Sequence, residues 1–382
     1  MTVYIYDLPD WPDFHWGSDI LAPKLALVRY KQGELIGRMK CLGFDLRDEA
    51  ILQTLTLDVV KSSEIEGEDL NAEQVRSSVA RHLGMDAGGL PHPSRTVEGI
   101  VNMMLDATQK YDQSLTRERL FSWHASLFPA GRSGMHAIKA GAWRDDTSGP
   151  MEVISGPIGR ERVHFQGPPA ARIEAEMEKF MEWFNRDDGN DLVLRSSIAH
   201  LWFVTIHPFE DGNGRIGRAL MDMLLARSEK SARRFYSMSA QIRSRRPEYY
   251  AGLEAAQKGT LNSTAQLDWF LDTLNTALDN AGTTLSRVLT KAGFWEKYAQ
   301  AQFNPRQRLV LNKLLDNFEG KLTATKWAKL TKRSPDTALR DITDLVNRGI
   351  LLKDPGGGRS TSYSLNFEHQ SEKREFDPLT RA

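Results

Sequence analysis

The sequence predicts a mainly α-helical protein: an N-terminal helical domain, an all-helical core with one small β-hairpin, and a C-terminal unit of three helices and a hairpin. Three observations carry that expectation. Apolar residues recur at helical spacing along most of the chain, as in Leu21, Leu25, Val28, Leu35 and Met39. Residues of strand and turn type are concentrated in one stretch, 141–169. The loop at 84–94 and Asn304-Pro305 interrupt the helical pattern and suggest domains at 1–90, 91–297 and 304–382.

The elements follow in order. Helices are expected over 18–43 and 46–65, the second stopping where Gly67 can serve as the residue after the C-cap. Asn71 to Gln74 reads as a capping box opening a third helix to Leu83. Helices over 95–111 and 116–128 come next. Met151–Ser155 and Arg160–Phe165 form the hairpin, turning around Gly156-Pro157-Ile158-Gly159. Helices resume over 171–186, 191–206, 215–229 and from 246 to 297.

Composition narrows the function classes. The chain has 382 residues, with 50 Lys and Arg against 50 Asp and Glu. A net charge of zero excludes a wholesale polybasic or polyacidic strategy toward partners. One cysteine, Cys41, permits neither an intrachain disulfide nor a thiolate zinc site. The N-terminal residues lack the pattern of a secretory signal, and no apolar run reaches the length of a membrane span. A soluble cytoplasmic protein with no membrane partner is expected.

The chemistry is concentrated in His207-Pro208-Phe209-Glu210-Asp211-Gly212-Asn213-Gly214-Arg215-Ile216-Gly217-Arg218. Pro208 ends the preceding helix at His207 and leaves the imidazole at a helix terminus. Gly212 and Gly214 let the backbone turn and approach a ligand closely. The amides that follow open the next helix, where free N–H groups favour anions. Arg215 and Arg218, three apart, share a helix face and suit a polyphosphate. Asp211 offers one hard carboxylate for a Mg²⁺ ion held jointly with phosphates. Base, metal carboxylate, amide nest and two arginines together indicate phosphate-ester chemistry.

This segment resembles the Fic family motif, H-x-F-x-[DE]-G-N-G-R-x-x-R, at every fixed position. The resemblance extends to Gly141-Ala142-Trp143-Arg144 and the hairpin, which look like the family's flap, and to Tyr249-Tyr250, which resemble the element closing on adenine. It implies a Fic core with a hairpin flap and a protein adenylyltransferase that moves AMP from ATP to a Tyr, Thr or Ser hydroxyl of a protein, itself included. By motif position, His207 is then the general base, Asp211 the Mg²⁺ ligand and Phe209 the loop's anchor. Gly212, Asn213, Gly214, Arg215, Ile216, Gly217, Arg218, Tyr249 and Tyr250 bind ATP, with Asn213 on phosphate oxygens. Kinase-type relatives carry Lys where this chain has Gly214, which favours adenylyl over phosphoryl transfer. Ser62-Ser63-Glu64-Ile65-Glu66-Gly67 resembles the family's inhibitory motif, [ST]-x-x-x-E-[GN]. Ser62, Glu66 and Gly67 take the fixed positions, and Glu66 is expected on Arg218.

From 304 onwards the sequence resembles a winged helix-turn-helix, with helices at 305–317, 323–331 and 335–348 and strands at Leu351–Lys353 and Ser362–Leu365. Residues 305–360 contain 12 Lys and Arg against 6 Asp and Glu. That balance suits DNA, with Lys353 and Arg359 near phosphates, while Asp336, Asp341 and Asp344 on the recognition helix argue for a protein partner. Two other functions stay open: removal of AMP from a modified protein with help from Glu66, and a DNA-binding regulator that senses ATP. His164 on the hairpin reads as an exposed strand histidine, and His200 as a structural residue.

Overall fold

Helix α1 (Ser18–Lys40) buries Leu21, Val28, Leu35 and Met39 of the stripe read from the sequence and leaves Leu25 half-buried. The computed structural model describes residues 3–40, 44–85, 89–147, 149–157, 159–160, 162–315, 318, 320–355 and 361–366, so Cys41 lies outside them. Helix α2 (Phe44–Ile65) follows, then α3 (Ala72–His82), whose cap Asn71 accepts the Gln74 N–H at 3.0 Å. The expected capping box forms only in half. The Gln74 side-chain oxygen accepts the Ser94 N–H instead, at 3.1 Å, and so ties α3 to the start of α4 (Arg95–Gln109). Gly99 of α4 lies against the main chain of α5 (Arg117–Leu127), since a Cβ there would sit 1.7 Å from the Ser126 carbonyl oxygen.

A hairpin of two residues per strand, β1 (Arg132–Ser133) and β2 (His136–Ala137), was not expected. It is too short to leave a period-2 signal. Strands β3 (Glu152–Ser155) and β4 (Arg162–Gln166) form the expected antiparallel hairpin, and Ile158 in its turn lies outside the described residues. Helices α6 (Ala170–Asn185), α7 (Leu192–Ile206) and α8 (Asn213–Glu229) complete the centre. Helix α7 is buried on every side, so its apolar residues run all round it. The short helix α9 (Met238–Ser244), also unexpected, is capped by Ser237, which accepts the Ala240 N–H at 3.0 Å. Helices α10 (Arg246–Gln257) and α11 (Thr264–Lys297) follow.

Residues 1–284 make one compact unit and 285–382 another. In the first, Trp11 and Phe14 pack on Trp202 of α7 with ring centroids 6.0 and 5.9 Å away, so the N-terminal aromatics share the central core. In the second, α12 (Pro305–Leu315), α13 (Ala324–Thr331) and α14 (Pro335–Asn347) pack around the fully buried Trp327. Phe294, near the end of α11, belongs to this core as well. Strands β5 (Leu322–Thr323), β6 (Leu351–Lys353) and β7 (Ser362–Leu365) form a sheet of order β5-β7-β6, one strand more than expected. Asp341, expected on the exposed face of α14, is buried and bonds Arg306 at 2.7 Å. Arg359 lies outside the described residues. Among the described residues, no helix is long and apolar enough to cross a membrane.

Candidate active site

The site is built on the turn between α7 and α8. His207 is the C-cap of α7 and lies in the left-handed region, at φ 51° and ψ 58°, where non-glycine residues are uncommon. Such a conformation persists only when its surroundings over-determine it. Here the buried Arg144 does so: its Nε donates to the His207 carbonyl at 2.7 Å and its main-chain N–H to the Pro208 carbonyl at 2.9 Å. Arg144 also bonds Asp146 at 3.1 Å and the Pro168 carbonyl. The His207 Nδ1 lies 3.2 Å from the Val204 carbonyl, an acceptor, so Nδ1 carries the proton and Nε2 presents a lone pair. Burial, with the positive charge of Arg144, lowers the His207 pKa to about 4. The imidazole is therefore neutral at neutral pH.

Phe209 anchors the loop in the core, as expected, stacked on His124 with centroids 4.2 Å apart and planes at 7°. His124 accepts the Gly141 N–H at Nδ1 (2.9 Å), which makes Nε2 the donor to the Asp211 carbonyl at 3.2 Å. Asp211 is partly exposed; one carboxylate oxygen accepts the Gly212 N–H at 2.5 Å and the other the Ser133 hydroxyl. Each oxygen keeps a lone pair. Among the described residues, no cluster of three or more His, Cys, Asp or Glu could hold a metal by itself. A single fixed, hard carboxylate fits a Mg²⁺ ion whose other ligands are phosphate oxygens and water.

Gly212, at φ +78°, is the N-cap of α8, and the N–H groups of Asn213, Gly214 and Arg215 begin the helix without intrahelical acceptors. Three of the expected ligand residues have scaffold contacts here. The Asn213 side-chain amide accepts the Phe209 N–H (3.0 Å) and donates to the Phe209 carbonyl (2.8 Å), clamping the loop. Ile216 is fully buried and its N–H is bonded to the Gly212 carbonyl at 3.0 Å. Gly217 packs on α7, where a Cβ would meet Val204 Cγ1 at 3.0 Å. Ile216 and Gly217 thus hold helices together.

The two arginines meet the end of α2. There Gly67 adopts φ +84°, the Glu68 N–H reaches the Ser63 carbonyl (3.0 Å) and the Gly67 N–H the Glu64 carbonyl (3.1 Å), a Schellman turn. The reversal presents two carboxylates. Glu66 Oε1 lies 2.7 Å from Arg218 Nη1, and Glu68 Oε2 lies 2.7 Å from Arg215 Nη1. Arg218 is fully buried and also bonds the Ser62 hydroxyl (2.9 Å) and carbonyl (2.8 Å). Arg215 stacks over Phe128 at 5.1 Å.

A cavity of about 590 Å³, a size suited to a small-molecule ligand, opens beside these groups. His207, Gly214, Glu66, Tyr249 and Tyr250 help to line it. The Tyr250 hydroxyl donates to the Ile65 carbonyl at 3.2 Å, whereas Tyr249 is nearly buried, its hydroxyl 3.0 Å from His200 Nε2. Sequence reasoning missed Glu68, His124, Ser133 and the clamping role of Arg144. Of these, Glu68 carried a signal: a second carboxylate just past a helix-ending glycine.

Residues 114–225 match the family model described as Fic/DOC family, and residues 4–85 that of a domain of unknown function, DUF4172. The chain is 25% identical over 202 residues to "Protein adenylyltransferase Fic" of Drosophila mojavensis, covering 52% of this chain and 36% of that one. To "Protein adenylyltransferase fic-1" of Caenorhabditis elegans it is 30% identical over 119 residues, covering 28% and 22%. It thus spans about a third or less of these relatives. A solved Fic family protein from Desulfovibrio desulfuricans G20 shares the fold at a TM-score of 0.52 and 21% identity, over 91% of this chain and 97% of that one. Motif, turn geometry and family match agree: residues 114–225 match the Fic/DOC family model, and the chain has the Fic fold.

Proposed function

We propose that this protein transfers AMP from MgATP to a hydroxyl group of a protein side chain, and that Glu66 restrains the reaction. The observation that carries the reading is the placement of His207: a neutral imidazole, proton fixed on Nδ1, lining the same cavity as Gly214 at the amino end of α8. Distant relatives that bear the name protein adenylyltransferase support it.

In this mechanism His207 Nε2 takes the proton of the acceptor hydroxyl. The oxygen attacks the α-phosphorus in line, the bond to the β-phosphate breaks, and pyrophosphate leaves. The α8 N–H groups and the side chains of Arg215 and Arg218 stabilise phosphate charge. Asp211 would hold Mg²⁺, which supplies further charge neutralisation at the phosphates. Phe209, Asn213, His124 and Arg144 keep the loop rigid, so positioning lowers much of the barrier.

Glu66 on Arg218 takes the partner and the space of a terminal phosphate. Intact-mass measurement after incubation with MgATP tests the reading: Glu66→Gly should pass AMP to added proteins, and His207→Ala introduced into that variant should not. Transfer at an undiminished rate without His207 would overturn the mechanism.

A further inference from the structure

The flap carries a second proton-relay arrangement. Ser155 Oγ lies 2.6 Å from His164 Nε2, and His164 Nδ1 lies 2.7 Å from Glu254 Oε2 on α10. Glu254 is anchored by Lys258 at 2.7 Å and by Arg162 at 3.0 Å. Hydrogen bonds from Lys258 and His164 hold its carboxyl down at about 2, so it is ionised. With Nδ1–H donated to that carboxylate, His164 turns a lone pair toward the serine hydroxyl.

The strand register explains how the three groups meet. Val153 pairs with Phe165 but Ile154 pairs with Val163, so His164 is the extra residue of a β-bulge. A bulge re-aims a side chain relative to a regular ladder. Ser155 is exposed, and Ser155, His164 and Glu254 line the same cavity as His207 and Gly214.

We propose that Ser155 is itself an AMP acceptor of this protein, with His164 as the base that takes its proton. This rests on the adenylyl-transfer reading, since ATP supplies the electrophile in that cavity. The Ser155 O–H bond breaks and its proton passes to His164 Nε2. An Oγ–phosphorus bond forms at the α-phosphate, the bond to the β-phosphate breaks, and pyrophosphate leaves with the electron pair. Glu254 positions the imidazole and balances its positive charge. The product is a phosphodiester on the hairpin, in the cavity that made it.

The test is peptide mass spectrometry of the full-length chain, wild type and Glu66→Gly, after incubation with MgATP and a panel of added proteins. One adenylyl group should appear on the peptide containing Ser155, with fragmentation placing it on that residue. Ser155→Ala should remove that adduct and Ser155→Thr restore it. His164→Gln should slow its formation roughly a hundredfold, the contribution of a general base. AMP found on other residues or proteins with Ser155 unmodified would overturn this inference and leave adenylyl transfer standing. AMP found nowhere would overturn both. An unchanged rate in His164→Gln would remove the histidine from the step.

Discussion

Glu68 Oε2 lies 2.7 Å from Arg215 Nη1, two residues beyond the carboxylate that occupies Arg218. Both contacts come from one Schellman turn, so each phosphate-type arginine of the α8 face meets an anion from the same short segment. Both arginines are thus ion-paired and buried, and their carboxylate partners differ in exposure, Glu66 at 29% and Glu68 at 39%.

That difference sets the first prediction. A partly exposed ion pair contributes about 1 kcal/mol or less. Glu68→Gln should therefore tighten ATP binding by roughly fivefold at most, in a His207→Ala background where turnover does not interfere. Equilibrium titration with MgATP measures it. Weaker binding in Glu68→Gln would mean that Glu68 organises the site instead of competing for Arg215.

The second concerns Glu66. A hydrogen bond to a charged group contributes about 1.5–3 kcal/mol, equivalent to roughly ten- to a hundredfold in productive binding. Glu66→Gly should raise AMP transfer by that order. Arg218→Ala should not mimic it, because it frees the site but discards a phosphate contact, and the double variant should behave like Arg218→Ala. Initial rates with labelled ATP decide the matter; a rate in Glu66→Gly at or below wild type would sink the restraint.

Gly214 supplies a third test. A Cβ at that position would lie 2.1 Å from Glu66 Oε1 and 3.2 Å from Arg218 Nη1. Gly214→Ala should evict the Glu66 carboxylate and destabilise the protein by about 1–3 kcal/mol. In the Glu66→Gly background the same change meets no carboxylate, only Arg218 Nη1, and should cost clearly less. Denaturant unfolding of the four proteins gives the coupling as a double-mutant cycle. Equal costs in both backgrounds would show that Glu66 does not rest on Gly214.

Much of this was legible in the sequence, for identifiable reasons. Helical spacing located the main helices because their apolar stripes follow the 3.6-residue period, and Gly67 marked the end of α2 through its need for positive φ. The motif 207–218 pointed to the loop, but not to the scaffold contacts that some of its members make. Asn213 clamps Phe209, and Ile216 and Gly217 pack between helices, contacts that only the packing reveals. His124 and Ser133 touch Asp211 from 87 and 78 residues away. No local period records such contacts. His164 read as an exposed strand residue because alternation assumes a regular ladder, and the bulge breaks it.

The last prediction concerns the charge state of His207. Burial disfavours the imidazolium and the guanidinium of Arg144 adds to that effect, so the pKa falls from the ordinary 6.5 to about 4. The sign is then fixed: as pH falls from 7 to 5 a free histidine gains its proton while most of His207 keeps its lone pair and stays competent as a base. Histidine NMR of the free protein, with the signal assigned by its loss in His207→Ala, should show titration well below 6.5. Between pH 7 and 5, protonation of His207 should therefore remove little of the AMP transfer. In Arg144→Gln one of the two lowering causes is gone, so the midpoint should rise, but only slightly, because burial is the larger cause. The same variant loses the side-chain bonds to the His207 and Pro168 carbonyls unless the amide replaces them, so its rate should fall even where the imidazole is fully neutral. A titration midpoint at or above 6.5 in the wild type would show that the imidazole is solvated, and a rate in Arg144→Gln equal to wild type would show that the loop holds His207 without the clamp.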